Sequence, residues 1–173
     1  MPRDILKTLK QEHDMLRELF TELKATTDRA SKKRTDLLKK IDENLLPHAK
    51  WEEQVFYPAF RDRADRDGLQ TYAEAVEEHR AVEETVMPDV HAAEVDSPEF
   101  AGRSKVFGEF IDHHAKEEEK TMFKMARELF SAEERADMDV QYEEWKQSPA
   151  TMALLAGAAA KTGAEAIVSR FKQ

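Results

Sequence analysis

The chain has 173 residues, a formal net charge of -9, a pI near 5.2 and no cysteine. That length suits one domain with a buried core, the acidic balance argues against a nucleic-acid surface, and the missing thiols exclude disulfides and thiolate metal ligands. Charged residues make up 36% of the chain, Gly and Pro are few, and β-branched residues do not alternate, so the expected fold is all-α, built from amphipathic helices with solvated outer faces.

The start, Met1 to Lys7, lacks the apolar run of a signal peptide. The longest apolar stretch, Met152 to Ala160, is far shorter than the roughly 20 residues of a spanning helix, so a cytoplasmic protein without a membrane partner is expected. From Asp4 to about Asp28, Leu6, Leu9, Leu16, Phe20 and Leu23 step by three and four, and His13 fills the core slot between Leu9 and Leu16. The second segment, from about Ser31 to Arg61, carries Leu38, Ile41, Leu45, Val55 and Ala59, with His48 and Glu52 in the slots between Leu45 and Val55. Pro47 and Pro58 are expected to kink or fray this helix. The third segment, from about Gly68 to Glu94, fits either a stripe through Leu69, Tyr72, Val76, His79, Glu83, Val86 and Val90 or one through Ala75, His79, Val82 and Val86, with Pro88 bending its end.

Ser97-Pro98 is a helix start, with Ser as cap and Pro at the first helical position. The fourth helix should run to about Phe130 and turn Phe107, Ile111, His114, Glu118, Met122, Met125 and Leu129 inward. Ser131 and Glu134 form a capping box opening a fifth helix to about Lys146, and Ser148-Pro149 ends it. The tail, including Ile167, Val168 and Phe171, is either a further helical piece on the bundle or a homo-oligomer contact. Residues 1–130 thus read as an up-down four-helix bundle and 131–173 as a helical extension.

The string His48-Ala49-Lys50-Trp51-Glu52-Glu53 returns as His114-Ala115-Lys116-Glu117-Glu118-Glu119. A His and a Glu four apart share one helix face. In an up-down bundle, groups at one level are mirrored about each loop. The midpoints between His13 and His48, between His48/Glu52 and His79, and between His79 and His114/Glu118 all fall in polar breaks. Four histidines and two glutamates therefore reach one layer. Burying such carboxylates costs several kcal/mol each unless they are paired or bind metal, and no Lys or Arg shares their seams. Imidazole plus carboxylate suits Fe, Mn or Zn. Six ligands exceed one tetrahedral ion, whereas two ions bridged by Glu52 and Glu118, with an added oxide or hydroxide bridge, use the whole set.

Those six residues, with the Glu-Glu-x-x-Phe-Tyr-Pro continuation at Glu52 to Pro58, resemble the hemerythrin-like, or HHE cation-binding, family over roughly residues 4 to 130. The resemblance implies a non-haem di-iron centre taking a small oxidant (dioxygen, hydrogen peroxide or nitric oxide) in carriers, sensors or proteins that handle iron, peroxide or nitric oxide. The oxygen carriers of that family have two histidines a turn apart on the third helix, whereas His79 stands between Ala75 and Glu83. They also space the fourth-helix carboxylate one residue further from its histidine. One ion is short of an imidazole, and Glu83, Tyr72 or water could complete it, with His113 supporting a ligand from outside. The functions in competition are an oxidant-binding or peroxide-decomposing (catalase-like) di-iron protein, an iron- or oxygen-responsive sensor or adaptor without turnover, and a metal-free interaction bundle.

Overall fold

The computed structural model describes residues 3–164, so Ile167, Val168 and Phe171 lie outside the described residues. Helix α1 (Ile5–Lys24) opens where the Asp4 side chain accepts the Leu6 amide. Helix α2 (Ser31–Trp51) runs through Pro47 and passes without a break into a π-helical turn, Glu52–Phe56, and then α3 (Tyr57–Arg61). Helix α4 (Arg66–Ala81), capped by Asp65, continues through a second π turn, Val82–Val86, into α5 (Met87–His91). Helix α6 (Pro98–Glu117), capped by Ser97, continues through a third, Glu118–Met122, into α7 (Phe123–Leu129). Helix α8 (Ala132–Gln147) carries the Ser131/Glu134 capping box that the sequence predicts. Helix α9 (Pro149–Thr162) follows a Ser148 cap and stops at Gly163, whose φ of 82° is open to glycine at little cost.

The four rods α1, α2–α3, α4–α5 and α6–α7 form a ring in which neighbours run in opposite directions. Thr26 meets Arg34 while Glu12 meets His48. Asp89 meets Arg103 while Glu78 meets His114. Arg17 meets Asp112 while His13 meets Glu119, and Tyr57 meets Tyr72 while Glu53 meets His79. Each pairing falls in one number as it rises in the other, which is the antiparallel register. Helix α8 packs on α1 and α2, and α9 on α2, α5 and α8.

The core divides into two apolar clusters, one around Leu16, Phe20, Ile41 and Phe107, the other around Leu9, Phe56, Phe60 and Phe123. His13, His48, Glu52, His79, His114 and Glu118, all 8% exposed or less, lie where one cluster gives way to the other along the rods.

The π turns correct the expected apolar stripe. Beyond Glu52 and Glu118, Val55, Ala59, Met125 and Leu129 are only partly buried, as is Val86 on the third rod. The residues one position later, Phe56, Phe60, Ala126, Phe130 and Met87, are 2% exposed or less. A π turn takes up one extra residue, so on the second and fourth rods the inward positions after it move along by one, while on the third Val90 stays buried beside Met87. Pro58 and Pro88 each follow such a turn, where the change of hydrogen-bond register interrupts the regular α ladder and a missing N–H costs least, while Pro47 sits inside a continuous α2. The fourth rod makes its π turn without a proline, so proline is not the requirement. Leu69 is 44% exposed, and of the two stripes weighed for the third rod the one through Ala75 and Val82 is the buried one.

Candidate metal centre

The six residues of the polar layer converge. Nε2 of His13 lies 3.1 Å from Nε2 of His48, and Nε2 of His79 lies 3.0 Å from Nε2 of His114. Glu52 spans the two pairs, with Oε1 3.2 Å from His48 Nε2 and Oε2 3.5 Å from His79 Nε2. Glu118 does the same from the opposite rod, with Oε2 3.3 Å from His13 Nε2 and 3.6 Å from His114 Nε2. Ligand atoms within 4.8 Å of one another form two groups able to hold a metal ion, one of His13, His48, Glu52 and Glu118, the other of Glu52, His79 and His114.

A second ring of carboxylates fixes the first. The Nδ1 of each histidine meets a glutamate from the preceding rod: Glu12 to His48 at 2.9 Å, Glu53 to His79 at 3.1 Å, Glu78 to His114 at 2.6 Å and Glu119 to His13 at 3.1 Å. The pattern closes like a pinwheel. An imidazole that donates from Nδ1 to a carboxylate presents its Nε2 lone pair inward, the arrangement in which a second residue orients a metal-ligating histidine.

Whether these residues suit a cation is decided by the inner atoms. Both oxygens of Glu52 and Oε2 of Glu118 are buried and receive no hydrogen bond. Buried anionic oxygens without donors are costly, and so are two imidazole lone pairs at 3 Å; a cation among them satisfies both. The donor set of four imidazoles and two carboxylates fits.

The electrostatics couple the imidazoles to the carboxylates. Burial lowers the His48 pKa, but the Glu52 carboxylate and the Glu12 hydrogen bond outweigh it and hold the ring well above its usual value. Against burial, Glu118 and Glu78 raise His114 likewise. Burial works against the charge on Glu118, yet His114 and His13 bring its pKa down.

Tyr57 joins the layer and was not expected there. Its hydroxyl lies 3.0 Å from His79 Nε2 and 3.5 Å from His114 Nε2, and donates to Glu118 Oε1 at 2.8 Å. Burial, with Glu118 and Glu52 nearby, pushes its pKa well up. On a regular α-helix Tyr57 would point roughly 140° away from Glu52. The π turn bonds the Tyr57 amide to the Glu52 carbonyl and brings both side chains inward.

The three further candidates stand outside the inner ring. Glu83 pairs with Lys50 at 2.6 Å, Tyr72 packs edge-on against the Tyr57 ring at 6.4 Å, and His113 is 64% exposed, 3.7 Å from Glu78. The ring borders a mostly apolar cavity of about 30 Å³ lined by Leu16, Leu45, Val82, Ile111 and the four histidines. A second cavity, about 40 Å³ and more polar, reaches His114 and Glu118 past Thr71, Glu74 and Glu117.

Comparison with known proteins agrees with this geometry. The family model described as Hemerythrin HHE cation binding domain matches residues 4–126. A protein described as a DNA nickase, from Nostoc sp., is 29% identical over 132 residues, covering 76% of this chain; the chain spans 36% of that relative's length. No solved structure matches the chain significantly. Among the described residues no helix is long and apolar enough to cross a membrane.

Proposed function

The chain belongs to the hemerythrin HHE cation-binding domain family, and from that premise we propose that its polar layer holds two iron ions that bind or react with dioxygen, hydrogen peroxide or nitric oxide. The observation that carries the reading is the set of donor-free buried oxygens on Glu52 and Glu118, faced by four inward imidazole nitrogens. His13 and His48 would hold one ion, His79 and His114 the other, with Glu52 and Glu118 shared between them. Tyr57 stands beside the His79/His114 half, where three ligand groups rather than four lie in reach of one ion. Iron in such a donor set supplies redox chemistry toward small oxidants, with open positions for them.

The chain's own residues prepare the site for that task. The outer glutamates lock the imidazole tautomers, so the ligand atoms need no reorganisation. The small cavity has room for a molecule the size of a diatomic or a peroxide. Tyr57 keeps its proton and directs it at Glu118 Oε1, beside the inner ring.

Anaerobic loading with ferrous iron followed by elemental analysis and an absorption spectrum tests the reading. About two irons per chain and a spectrum that changes on adding an oxidant are expected. A chain that takes up no iron, or takes it up equally well as Glu52→Ala, refutes it. Oxygen evolution on adding peroxide, lost in His114→Ala, marks an enzyme. Its absence favours the second reading, an iron-responsive sensor or adaptor, for which the contact of α8 with the outer ring speaks. DNA cutting is not adopted from the Nostoc relative, because the chain spans about a third of that protein and its net charge of -9 disfavours phosphate contacts.

A further inference from the structure

Three of the outer glutamates take their further contacts from the four rods. Lys50 donates to Glu53, Arg17 donates to Glu119, and His113 lies 3.7 Å from Glu78. Glu12 differs. Its Oε2, 2.9 Å from His48 Nδ1, also accepts the Tyr142 hydroxyl at 3.0 Å, and Lys146 Nζ lies 3.8 Å from its Oε1. Tyr142 and Lys146 belong to α8, beyond the segment that the family model matches.

This contact is built rather than incidental. Tyr142 is 0% exposed and packs against Trp51, the neighbour of Glu52, with ring centroids 5.0 Å apart. Lys146 caps the outer face of the tyrosine ring at 4.2 Å. The helix is tied to α1 by Arg135 to Asp4 at 3.2 Å and by Thr8 to Asp139, and to the second rod by Trp145 to Gln54 at 3.2 Å. Burial and the Glu12 charge push the Tyr142 pKa well up, so the hydroxyl remains a donor.

We infer that Tyr142 is a positioning residue of the metal centre: its hydroxyl fixes Glu12, Glu12 fixes the tautomer and direction of His48, and the α8 extension thereby sets how tightly the His13/His48 half holds its cation. This rests on the metal reading above. Binding and helix packing are then linked in both directions, so a cation in that half also tightens α8 onto the bundle.

The test uses the full chain, Co(II) as probe and a competing chelator. Tyr142→Phe keeps the packed ring and removes the hydroxyl. Its Co(II) affinity in one half should fall roughly three- to tenfold, below or at the low end of the 10- to 100-fold typical of a group touching the ligand directly. The visible Co(II) spectrum of that half should shift, and the other half should be unchanged. In the unaltered chain, Co(II) should slow amide exchange in α8. An unchanged affinity and spectrum in Tyr142→Phe overturns the inference while leaving the metal reading intact. If that variant does not fold, exchange in the unaltered chain decides, and α8 amides indifferent to Co(II) overturn it. A chain that binds no Co(II) at all defeats the metal reading first.

Discussion

The two halves of the polar layer use the same parts and are held differently. Around His13 and His48 the outer glutamates are themselves clamped, Glu119 by Arg17 at 2.8 Å and Glu12 by Tyr142 at 3.0 Å. Around His79 and His114 one outer glutamate is clamped likewise, Glu53 by Lys50 at 2.7 Å, whereas the neighbour of Glu78 is an exposed His113 at 3.7 Å, and a protein hydroxyl, Tyr57, sits against both imidazoles. The polar cavity also opens on this half. The contrast teaches that, under the proposed metal reading, the His13/His48 half would serve as the anchor and the His79/His114 half, with three ligand groups in reach against four, as the more open one.

The largest expected effect comes from breaking what the halves share. Glu52→Gln keeps the shape and removes the bridging charge, so chelator competition should find metal affinity reduced by at least about 100-fold in both halves. In the alkaline range, where the imidazoles are neutral, the metal-free variant should melt no lower than the parent, because a buried charge facing only lone pairs has been removed. Next come the outer carboxylates. Glu12→Gln should weaken the anchoring half by roughly 10- to 100-fold and Glu78→Gln the other half by less, since Glu12 sits in the tighter network; equal losses in the same titration would erase the contrast. Tyr57→Phe should cost about tenfold in the His79/His114 half and less in the other, which shares Glu118, on the scale of one well-placed supporting group, read as two separated uptake steps where the parent gives closer ones.

The smallest effect is on pH dependence, and its sign is definite. His48 and His114 have raised folded pKa values, so their contribution to the metal-free fold is full below about pH 6.5 and fades as pH climbs through the folded values. Glu118 is lowered, so its contribution is full above about pH 4.5 and fades as pH falls toward its folded value. Metal-free melting temperature should therefore decline from pH 6.5 into the alkaline range, while cation affinity, which requires neutral imidazoles, should rise over that range. Melting curves with and without Co(II) that move in the same direction with pH would contradict this.

The sequence carried the all-α class, the capped starts at Ser97 and Ser131 and the six inner residues, because polar side chains in the core slots of a 3.6-residue period stand out. Tyr57 was hidden because α-helical spacing turns it away from Glu52, and nothing in the string announces a π turn there. The outer ring left a signal that single-residue reasoning passes over: Glu precedes His at 12–13 and 78–79, and Glu follows Glu at 52–53 and 118–119. That alternation, rod by rod, is the pinwheel written in sequence. Glu83 could not be placed from periodicity because its pairing with Lys50 depends on how two rods meet.

The central claim is that these carboxylates and imidazoles face one another because cations belong between them. Elemental analysis of the iron-loaded chain beside iron-loaded Glu52→Gln tests it most directly. About two irons per chain in the parent and a clear loss in the variant are predicted; equal iron in both, or none in either, would contradict the account.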